Sequence, residues 1–160
     1  MTARRPLEEV SDAGKYEPLR LDLQLCFALY AASNLFTRFY RPLLEPLGLT
    51  YPQYVVMLAL WEASPRTVGG LGKRLRLDSG TLSPLLRRLE AAGLVDRTRD
   101  PSDERRVIVS LTPQGVALRD RALAAIQPLI CDPAIPHPEA ADLRADLHRL
   151  IEGLSERLTD

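Results

Sequence analysis

Two cysteines and a dense group of basic residues are the side chains of this sequence that could carry chemistry. Cys26 and Cys131 could in principle bind a metal or act as redox thiols, but their spacing fits neither a zinc site nor a CxxC redox motif. If they have a role, we expect them to act as thiols. No Lys, Arg or His lies within one helical turn of Cys26, so phenolic hydroxyls are the expected donors to its thiolate. The alternative for Cys26, between Leu25 and Phe27, is a small core hydrophobe, and Cys131 beside a proline-rich loop needs no function.

The basic residues are concentrated in one stretch of a chain that is neutral overall. The sequence has 21 Lys plus Arg against 21 Asp plus Glu, which argues against a general binder of polyanions. Within residues 66–106, six acids accompany ten bases, namely Arg66, Lys73, Arg74, Arg76, Arg87, Arg88, Arg97, Arg99, Arg105 and Arg106. Such local concentration is typical of a nucleic-acid-binding surface.

The elements that must position these bases form a recognisable order. Thr67 can cap a short helix over residues 68–75, and Asp78 or Ser79 can cap a second helix that runs to Ala92, before the helix-stopping Gly93. Two alternating segments, 94–99 and 106–111, then predict strands joined by a turn at residues 100–103. Two short helices followed by a hairpin predict a winged helix-turn-helix, in a fold that is mainly α with a small β-hairpin wing.

Helices are expected on both sides of the winged helix-turn-helix, residues 65–112, which is called the reading head below. Apolar periodicity predicts a long helix over residues 21–44, a helix over 51–61 capped by Thr50, and helices over 113–130 and about 138–158. Residues 1–20 show no sustained period and are expected to form a flexible arm. We expect a single domain over 21–160, in which 65–112 form the winged helix-turn-helix while 21–64 and 113–160 form a helical dimerisation region, because their apolar faces exceed what a small reading head can cover.

The second helix of the reading head and the wing tip supply the candidate DNA contacts. Small polar residues at the start of that helix let its backbone approach base edges and phosphates, two arginines follow one to two turns later, and the wing offers an arginine for the minor groove beside an acid that could hold it. These residues are Ser79, Gly80, Thr81, Ser83, Arg87, Arg88, Arg105 and Asp103. The expected partner is double-stranded DNA with a pseudo-palindromic operator, bound by a homodimer. The alternative is a solvated helix face and an ordinary exposed ion pair in the turn.

The segment DERRVIVSLT, residues 103–112, resembles the wing of the MarR family of winged-helix regulators. Together with the segments 49–62 and 77–95 and a cysteine early in the first helix, it is similar to the organic hydroperoxide resistance regulators of that family. The resemblance implies that Cys26 is a peroxide-sensing thiol, that Tyr40 and Tyr51 hydrogen-bond its thiolate, and that Tyr30 matches a third tyrosine. It also implies that Cys131 is the resolving residue, which closes a disulfide between subunits.

A check on spacing follows from the resemblance. If the first helix is continuous, Tyr40 lies 14 residues from Cys26, about 21 Å along the axis, and cannot contact the Cys26 of its own chain. The sensing site would then be formed by residues of both subunits of the dimer. The apolar residues near the thiol, Leu25, Phe27, Leu29 and Phe36, would suit hydroperoxides with hydrocarbon tails over H₂O₂.

The expected function is therefore a repressor that releases its operator when an organic hydroperoxide oxidises Cys26 to sulfenic acid, which condenses with Cys131 of the partner. One alternative is a MarR-type repressor released by a small phenolic or aromatic ligand, with incidental cysteines. A thiol peroxidase fits poorly, because no arginine or general base lies near Cys26 in sequence, so we expect no enzyme.

Composition and local sequence pattern also indicate which cofactors, metals and location to expect. We expect no cofactor and no metal, since His137 and His148 lack a third ligand. No apolar run approaches the roughly 20 residues of a membrane helix, and the charged N-terminus lacks a secretory hydrophobic region. The expected location is the cytoplasm, with no membrane partner.

Overall fold

The structure, a computed structural model, describes residues 14–130 and 137–159 of the 160-residue chain. The described chain divides into two compact units, of which the first ends at Arg41 and the second begins at Pro42. In the first unit, short 3₁₀ turns at Glu17–Leu19 and Leu21–Leu23 precede helix α1, Leu25–Leu44, whose last three residues belong to the second unit. The long helix therefore begins four residues later than its apolar pattern predicts, because Leu21–Leu23 closes a tighter turn. Most of the predicted N-terminal arm lies outside the described residues.

The second unit contains the helix-turn-helix and the wing. After a 3₁₀ turn at Glu45–Leu47, the helices of this unit are α2 (Tyr51–Glu62), α3 (Val68–Leu75), α4 (Ser79–Ala91), α5 (Pro113–Ile130) and α6 (His137–Thr159). The strands are β1 (Arg66–Thr67), which directly precedes α3, and β2 (Val95–Asp100) and β3 (Asp103–Leu111), which follow α4. The predicted fold class, mainly α with a β-hairpin wing, is confirmed.

Side-chain caps fix where the helices begin. Thr50 and Gln53 form a capping box on α2, in which the Thr50 backbone N–H donates to Gln53 Oε1 at 2.8 Å. Thr67 Oγ1 accepts the Gly70 N–H at 3.0 Å to cap α3. At the end of α4, Gly93 adopts the left-handed region with φ +70°, and its N–H donates to the Glu90 carbonyl at 2.9 Å. These short-range signals explain why the predicted bounds of α2 and α3 agree with the structure within one residue.

The wing is the hairpin of β2 and β3, and it belongs to a three-stranded antiparallel sheet with the order β1-β3-β2. Its hairpin register pairs Val95 with Leu111 and Arg97 with Val109. The two-residue strand β1, which the sequence analysis missed, pairs Thr67 with Ile108 directly before α3 begins. The sheet therefore holds the start of α3 against the wing.

A compact apolar core lies among α2, α3, α4 and the sheet. Its fully buried side chains include Leu44, Met57, Leu60, Leu71, Leu82, Leu86, Leu89, Val95 and Val109. Leu85, on the same helix as Leu82, Leu86 and Leu89, is half-buried. The Trp61 indole Nε1 donates to the Gly115 carbonyl at 2.9 Å, which joins α2 to α5. This core gives the reading head a rigid base.

Large apolar side chains remain exposed on α1, α5 and α6. They are Leu25, Phe27, Leu35, Phe36 and Phe39 on α1, Val116 and Leu123 on α5, and Leu143, Leu154 and Leu158 on α6.

None of the described helices combines the length and apolarity needed to cross a membrane. Among the described residues, no three His, Cys, Asp or Glu side chains are grouped as a metal site would require.

Candidate functional site

The N-terminus of α4 presents the predicted small polar residues to solvent. Ser79, Gly80 and Thr81 are exposed, whereas Ser83 is half-buried beside the buried Leu82. Arg87 and Arg88 are exposed farther along the helix. The exposed start of α4 can approach a ligand closely through its backbone.

Asp78 caps α4 and carries a negative charge at this end of the helix. Its carboxylate accepts the Thr81 backbone N–H at 2.8 Å and the Thr81 hydroxyl at 3.0 Å. These hydrogen bonds, the backbone one first, hold the pKa of the Asp78 carboxyl below its ordinary value. The Thr81 hydroxyl therefore supports the cap, although the sequence analysis placed this residue among the DNA contacts.

The wing tip is shaped by two carboxylates. Asp100 accepts the Ser102 hydroxyl at 2.6 Å and the Ser102 N–H at 2.9 Å, which lowers the pKa of its carboxyl. Asp103 accepts the backbone N–H of Arg105 at 3.1 Å. Asp103 thus holds the backbone of Arg105 and leaves the exposed guanidinium available. This acid was expected to position the arginine side chain, and its contact is with the main chain.

A groove between α3, the start of α4 and the wing joins part of the predicted DNA-contact set. It has a volume of about 710 Å³, and Ser79, Ser83 and Arg105 are among its lining residues. Three further cations line it, Lys73, Arg97 and Arg106, none of which the sequence analysis named as a contact. Arg97 could have been found from the alternation of β2, which places it on the same strand face as the buried Val95.

The candidate redox residues are spread along the chain. Cys26 is exposed in the first turn of α1, and Tyr30, four residues along the same helix, is also exposed. Cys26 is therefore not a core hydrophobe of the described chain. Tyr40, near the other end of α1, is half-buried and packs edge-on against the Phe39 ring with centroids 6.4 Å apart.

The remaining two redox candidates lie beyond the first unit. Tyr51 opens α2, and its ring centroid lies 6.5 Å from that of Tyr54. Cys131 lies outside the described residues. The structure thus brings Cys26 and Tyr30 to one helix, at one end of it, and separates Tyr40 from both along that helix.

Comparison with known proteins assigns the chain to a family. The model of the MarR family matches residues 49–107. The organic hydroperoxide resistance transcriptional regulator of Bacillus subtilis is 41% identical over 143 residues, which are 89% of this chain and 97% of that protein.

Solved structures agree with that assignment. Reduced AbfR bound to DNA superposes with a TM-score of 0.74 at 40% identity, covering 88% of this chain and 98% of that one. Disulfide-formed AbfR superposes with a TM-score of 0.62 at 42% identity, covering 86% and 96%. AbfR is a protein of Staphylococcus epidermidis. Identity over nearly the whole of both chains and a shared winged-helix architecture show that this chain is a transcriptional regulator of the MarR family.

Proposed function

We propose that this regulator is a homodimeric repressor that binds operator DNA while Cys26 is reduced and releases it when an organic hydroperoxide oxidises Cys26. The observation that carries the proposal is the exposed thiol of Cys26, in the first turn of an apolar helix outside the reading head. A relative that is 41% identical is named for organic hydroperoxide resistance, and a structural neighbour has a disulfide-formed state.

DNA binding is assigned to α4 and the wing. The exposed start of α4, Ser79 to Thr81, would lie in a major groove with Ser83, Arg87 and Arg88 farther along, while Arg105 would enter the neighbouring minor groove. The superposition with DNA-bound AbfR supports this assignment. The Asp103 contact with the Arg105 backbone would keep the wing tip in shape for it.

Dimerisation is assigned to α1, α5 and α6. Six large apolar or aromatic side chains of α1 are more than a third exposed, from 37% for Phe27 to 66% for Tyr30. So many exposed apolar side chains on one helix are unfavourable in water and typical of a surface that a partner covers. A two-fold dimer would present two copies of α4 to half-sites about one helical turn of DNA apart, which matches a pseudo-palindromic operator.

The proposed switch is a two-step oxidation. The Cys26 thiolate attacks the hydroperoxide, the O–O bond breaks, one oxygen stays on sulfur as sulfenic acid, and the other leaves as an alcohol. The Cys131 thiol of the partner then displaces the sulfenic hydroxyl as water, and an S–S bond forms between the subunits. Tyr30, Tyr40 and Tyr51 would donate hydrogen bonds to the reduced thiolate. Loss of those bonds would move α1 and, with it, the spacing of the two reading heads.

The test is operator binding by reduced protein with and without stoichiometric cumene hydroperoxide, for wild type and Cys26→Ser in parallel. We expect both proteins to bind the upstream DNA of their own gene and only wild type to be released. Release of Cys26→Ser by the hydroperoxide would contradict the switch. Equal oxidation rates with H₂O₂ and cumene hydroperoxide would contradict the preference for hydrocarbon tails.

A second candidate function is supported by a cavity between α2 and α5. It has a volume of about 340 Å³ and is lined by Tyr54, Leu58, Trp61, Arg119 and Ile126, among others. Glu62 and Asp120 also line the cavity and offset the charge of Arg119, so its aromatic walls would suit a small neutral phenolic or aromatic ligand. In that case the cysteines would be incidental, and such a ligand would release DNA from a variant with both cysteines changed to serine.

A further inference from the structure

The segment that joins β3 to α5 is hydrogen-bonded to the ends of two other helices. The Leu111 N–H donates to Ser64 Oγ at 3.0 Å, just beyond α2. The Thr112 N–H donates to the Leu94 carbonyl at 3.2 Å, just beyond α4. The segment and its partners are called the junction below; they are residues 111–115, Trp61, Ser64, Gly93 and Leu94. The start of α5 is therefore fastened to the ends of α2 and α4.

The Thr112 hydroxyl both donates and accepts within the junction. Its Oγ1 donates to the Gly93 carbonyl at 2.7 Å and accepts the Gly115 N–H at 3.0 Å. The first hydrogen bond reaches the glycine that ends α4, and the second caps the first turn of α5. One hydroxyl thus joins the end of α4 to the start of α5.

Gly115 adds two close contacts to the same junction. Its carbonyl accepts the Trp61 indole N–H at 2.9 Å. A Cβ at this position would overlap the Leu94 carbonyl oxygen, so the backbones of the two segments lie against each other. Because closely packed groups have no room to slide, α5 and the reading head cannot shift at the junction without breaking these hydrogen bonds.

Helix α5 extends from the junction toward a residue of the proposed switch. It is 18 residues long, about 27 Å, and Cys131 directly follows its last residue in the sequence. The exposed Val116 and Leu123 of α5 belong to the apolar surface assigned to the partner subunit. A disulfide at Cys131 would therefore act on the far end of the helix that begins at the junction.

A small tilt of α5 would be large enough to displace the DNA-binding end of α4. Helix α4 has 13 residues, which places Ser79 about 18 Å from the junction. If the reading head follows α5, a tilt of about 10° moves Ser79 by about 3 Å, the length of a hydrogen bond.

We propose that Thr112 is a positioning residue of the switch, whose hydroxyl makes the reading head follow α5. The inference rests on the proposed redox function and adds to it the route from α5 to α4. For an oxidised dimer to bind operator, the junction has to open, and the cost of opening includes the two hydrogen bonds of the Thr112 hydroxyl. Weakening them lowers this cost in the oxidised state alone, since the reduced protein binds with the junction closed.

The test is the operator affinity of fully reduced and fully oxidised protein, measured by fluorescence anisotropy. Thr112→Val replaces the hydroxyl by a methyl group. After cumene hydroperoxide, this variant should bind operator about tenfold more tightly than oxidised wild type, while the reduced proteins should agree within about threefold. Thr112→Ser keeps the hydroxyl and should restore the oxidised affinity of wild type. Equal oxidised affinities of wild type and Thr112→Val would overturn the proposal.

A second helix cap separates coupling from loss of stability. Thr50→Val removes the cap of α2, whose Oγ1 donates to Gln53 Oε1 at 2.9 Å outside the junction. It should lower the unfolding free energy and leave the oxidised affinity at the wild-type value. A gain in Thr50→Val equal to that in Thr112→Val would mean that general loss of stability restores binding, which would overturn the proposal. If Thr112→Val fails to fold, Trp61→Phe removes another hydrogen bond of the junction, and an unchanged oxidised affinity there would overturn it.

Native-state hydrogen exchange tests the junction without DNA or oxidant. The Leu94 N–H donates to the Leu89 carbonyl at 3.0 Å and the Val116 N–H to the Thr112 carbonyl at 2.9 Å, so neither hydrogen bond uses the Thr112 hydroxyl. If hydroperoxide does not release wild type, the proposed function fails, and the junction is judged by these two amides. Equal opening free energies in wild type that become unequal in Thr112→Val would support the junction. Unequal values in wild type, or the same values in both proteins, would overturn it.

Discussion

Cys26 and Tyr40 lie 14 residues apart on the uninterrupted helix α1, about 21 Å along its axis. A hydrogen bond requires a separation of about 3 Å, so the Tyr40 hydroxyl cannot contact the Cys26 thiol of its own chain. If Tyr40 stabilises the thiolate, it does so from the partner subunit, and the sensor is assembled only in the dimer. Tyr40→Phe should then slow sulfenic acid formation about tenfold, through loss of one hydrogen bond to a charged group.

A mixed dimer distinguishes a contact of Tyr40 with Cys26 across the interface from a contact within one chain. In a heterodimer of Cys26→Ser with Tyr40→Phe, contact across the interface leaves one site with both groups intact and one with neither. We expect half of the sites to be able to react, and at the wild-type rate. Contact within one chain would instead pair the only remaining Cys26 with Phe at position 40, and slow oxidation would refute the shared sensor.

Cys131 is predicted to resolve the sulfenic acid without being needed to form it. Cys131→Ser should form sulfenic acid at the wild-type rate, detectable with a dimedone probe, because the first step involves Cys26 alone. It should lack the subunit-linked species on non-reducing gels after hydroperoxide treatment. A linked dimer that persists in Cys131→Ser would rule out this residue as the resolving thiol.

The cap of α4 should make stability depend on acid pH. Hydrogen bonds from Thr81 depress the pKa of Asp78 in the folded chain below the ordinary value of 3.8. A depressed folded pKa contributes stability above the ordinary value, and this contribution is lost as the pH falls through the lower folded pKa. Asp78→Asn keeps a neutral cap at every pH, so its unfolding free energy should approach that of wild type as the pH falls below about 4. Urea denaturation at several pH values measures this, and curves that remain parallel would contradict it.

Gly115 is required by close packing at the point where the wing meets α5. A Cβ at this buried position would overlap the Leu94 carbonyl oxygen and lie 3.3 Å from Leu111 Cδ2. Gly115→Ala should lower the unfolding free energy by about 3 kcal/mol, since the obstacle is backbone. Gly153→Ala is the matched control, because it meets open space within α6 and should raise helix stability by up to about 1 kcal/mol. Equal effects of the two substitutions in denaturant unfolding would refute the steric explanation.

The elements that the sequence predicts well are those specified by adjacent residues. Thr50, Thr67 and Gly93 each act within a few residues of their own position, and the helix bounds that they predict agree with the structure. The start of α1 was misplaced because Leu21 and Leu23 continue the apolar pattern while the backbone forms a 3₁₀ turn. Periodicity reports which side chains are apolar and does not distinguish the two helix types.

The features that sequence analysis missed depend on residues far apart in the chain. Strand β1 is only two residues long, and its pairing of Thr67 with Ile108 cannot be read from either segment alone. The incomplete hydrogen bonding of Arg97 arises only when β2 brings it beside Glu90 of α4. Asp103 was expected to hold the Arg105 side chain, whereas its contact in the structure is with the Arg105 main chain.

Arg76 connects the turn of the helix-turn-helix to the C-terminal helix and adopts a strained conformation there. Its φ of 54° and ψ of 41° lie in the left-handed region, and its Nη1 donates to Ser155 Oγ of α6. Arg76→Gly and Arg76→Ala both lose that hydrogen bond, but only glycine relieves the backbone strain, which costs about 1 kcal/mol for a residue with a Cβ. Arg76→Gly should therefore be about 1 kcal/mol more stable than Arg76→Ala in denaturant unfolding. Ser155→Ala removes that hydrogen bond together with the one that the Ser155 hydroxyl donates to the Ile151 carbonyl at 2.7 Å, and at this partly exposed site it should cost about 1 kcal/mol. If Arg76→Ala equals Arg76→Gly, the turn stores no strain and the conformation of Arg76 is set by its neighbours alone.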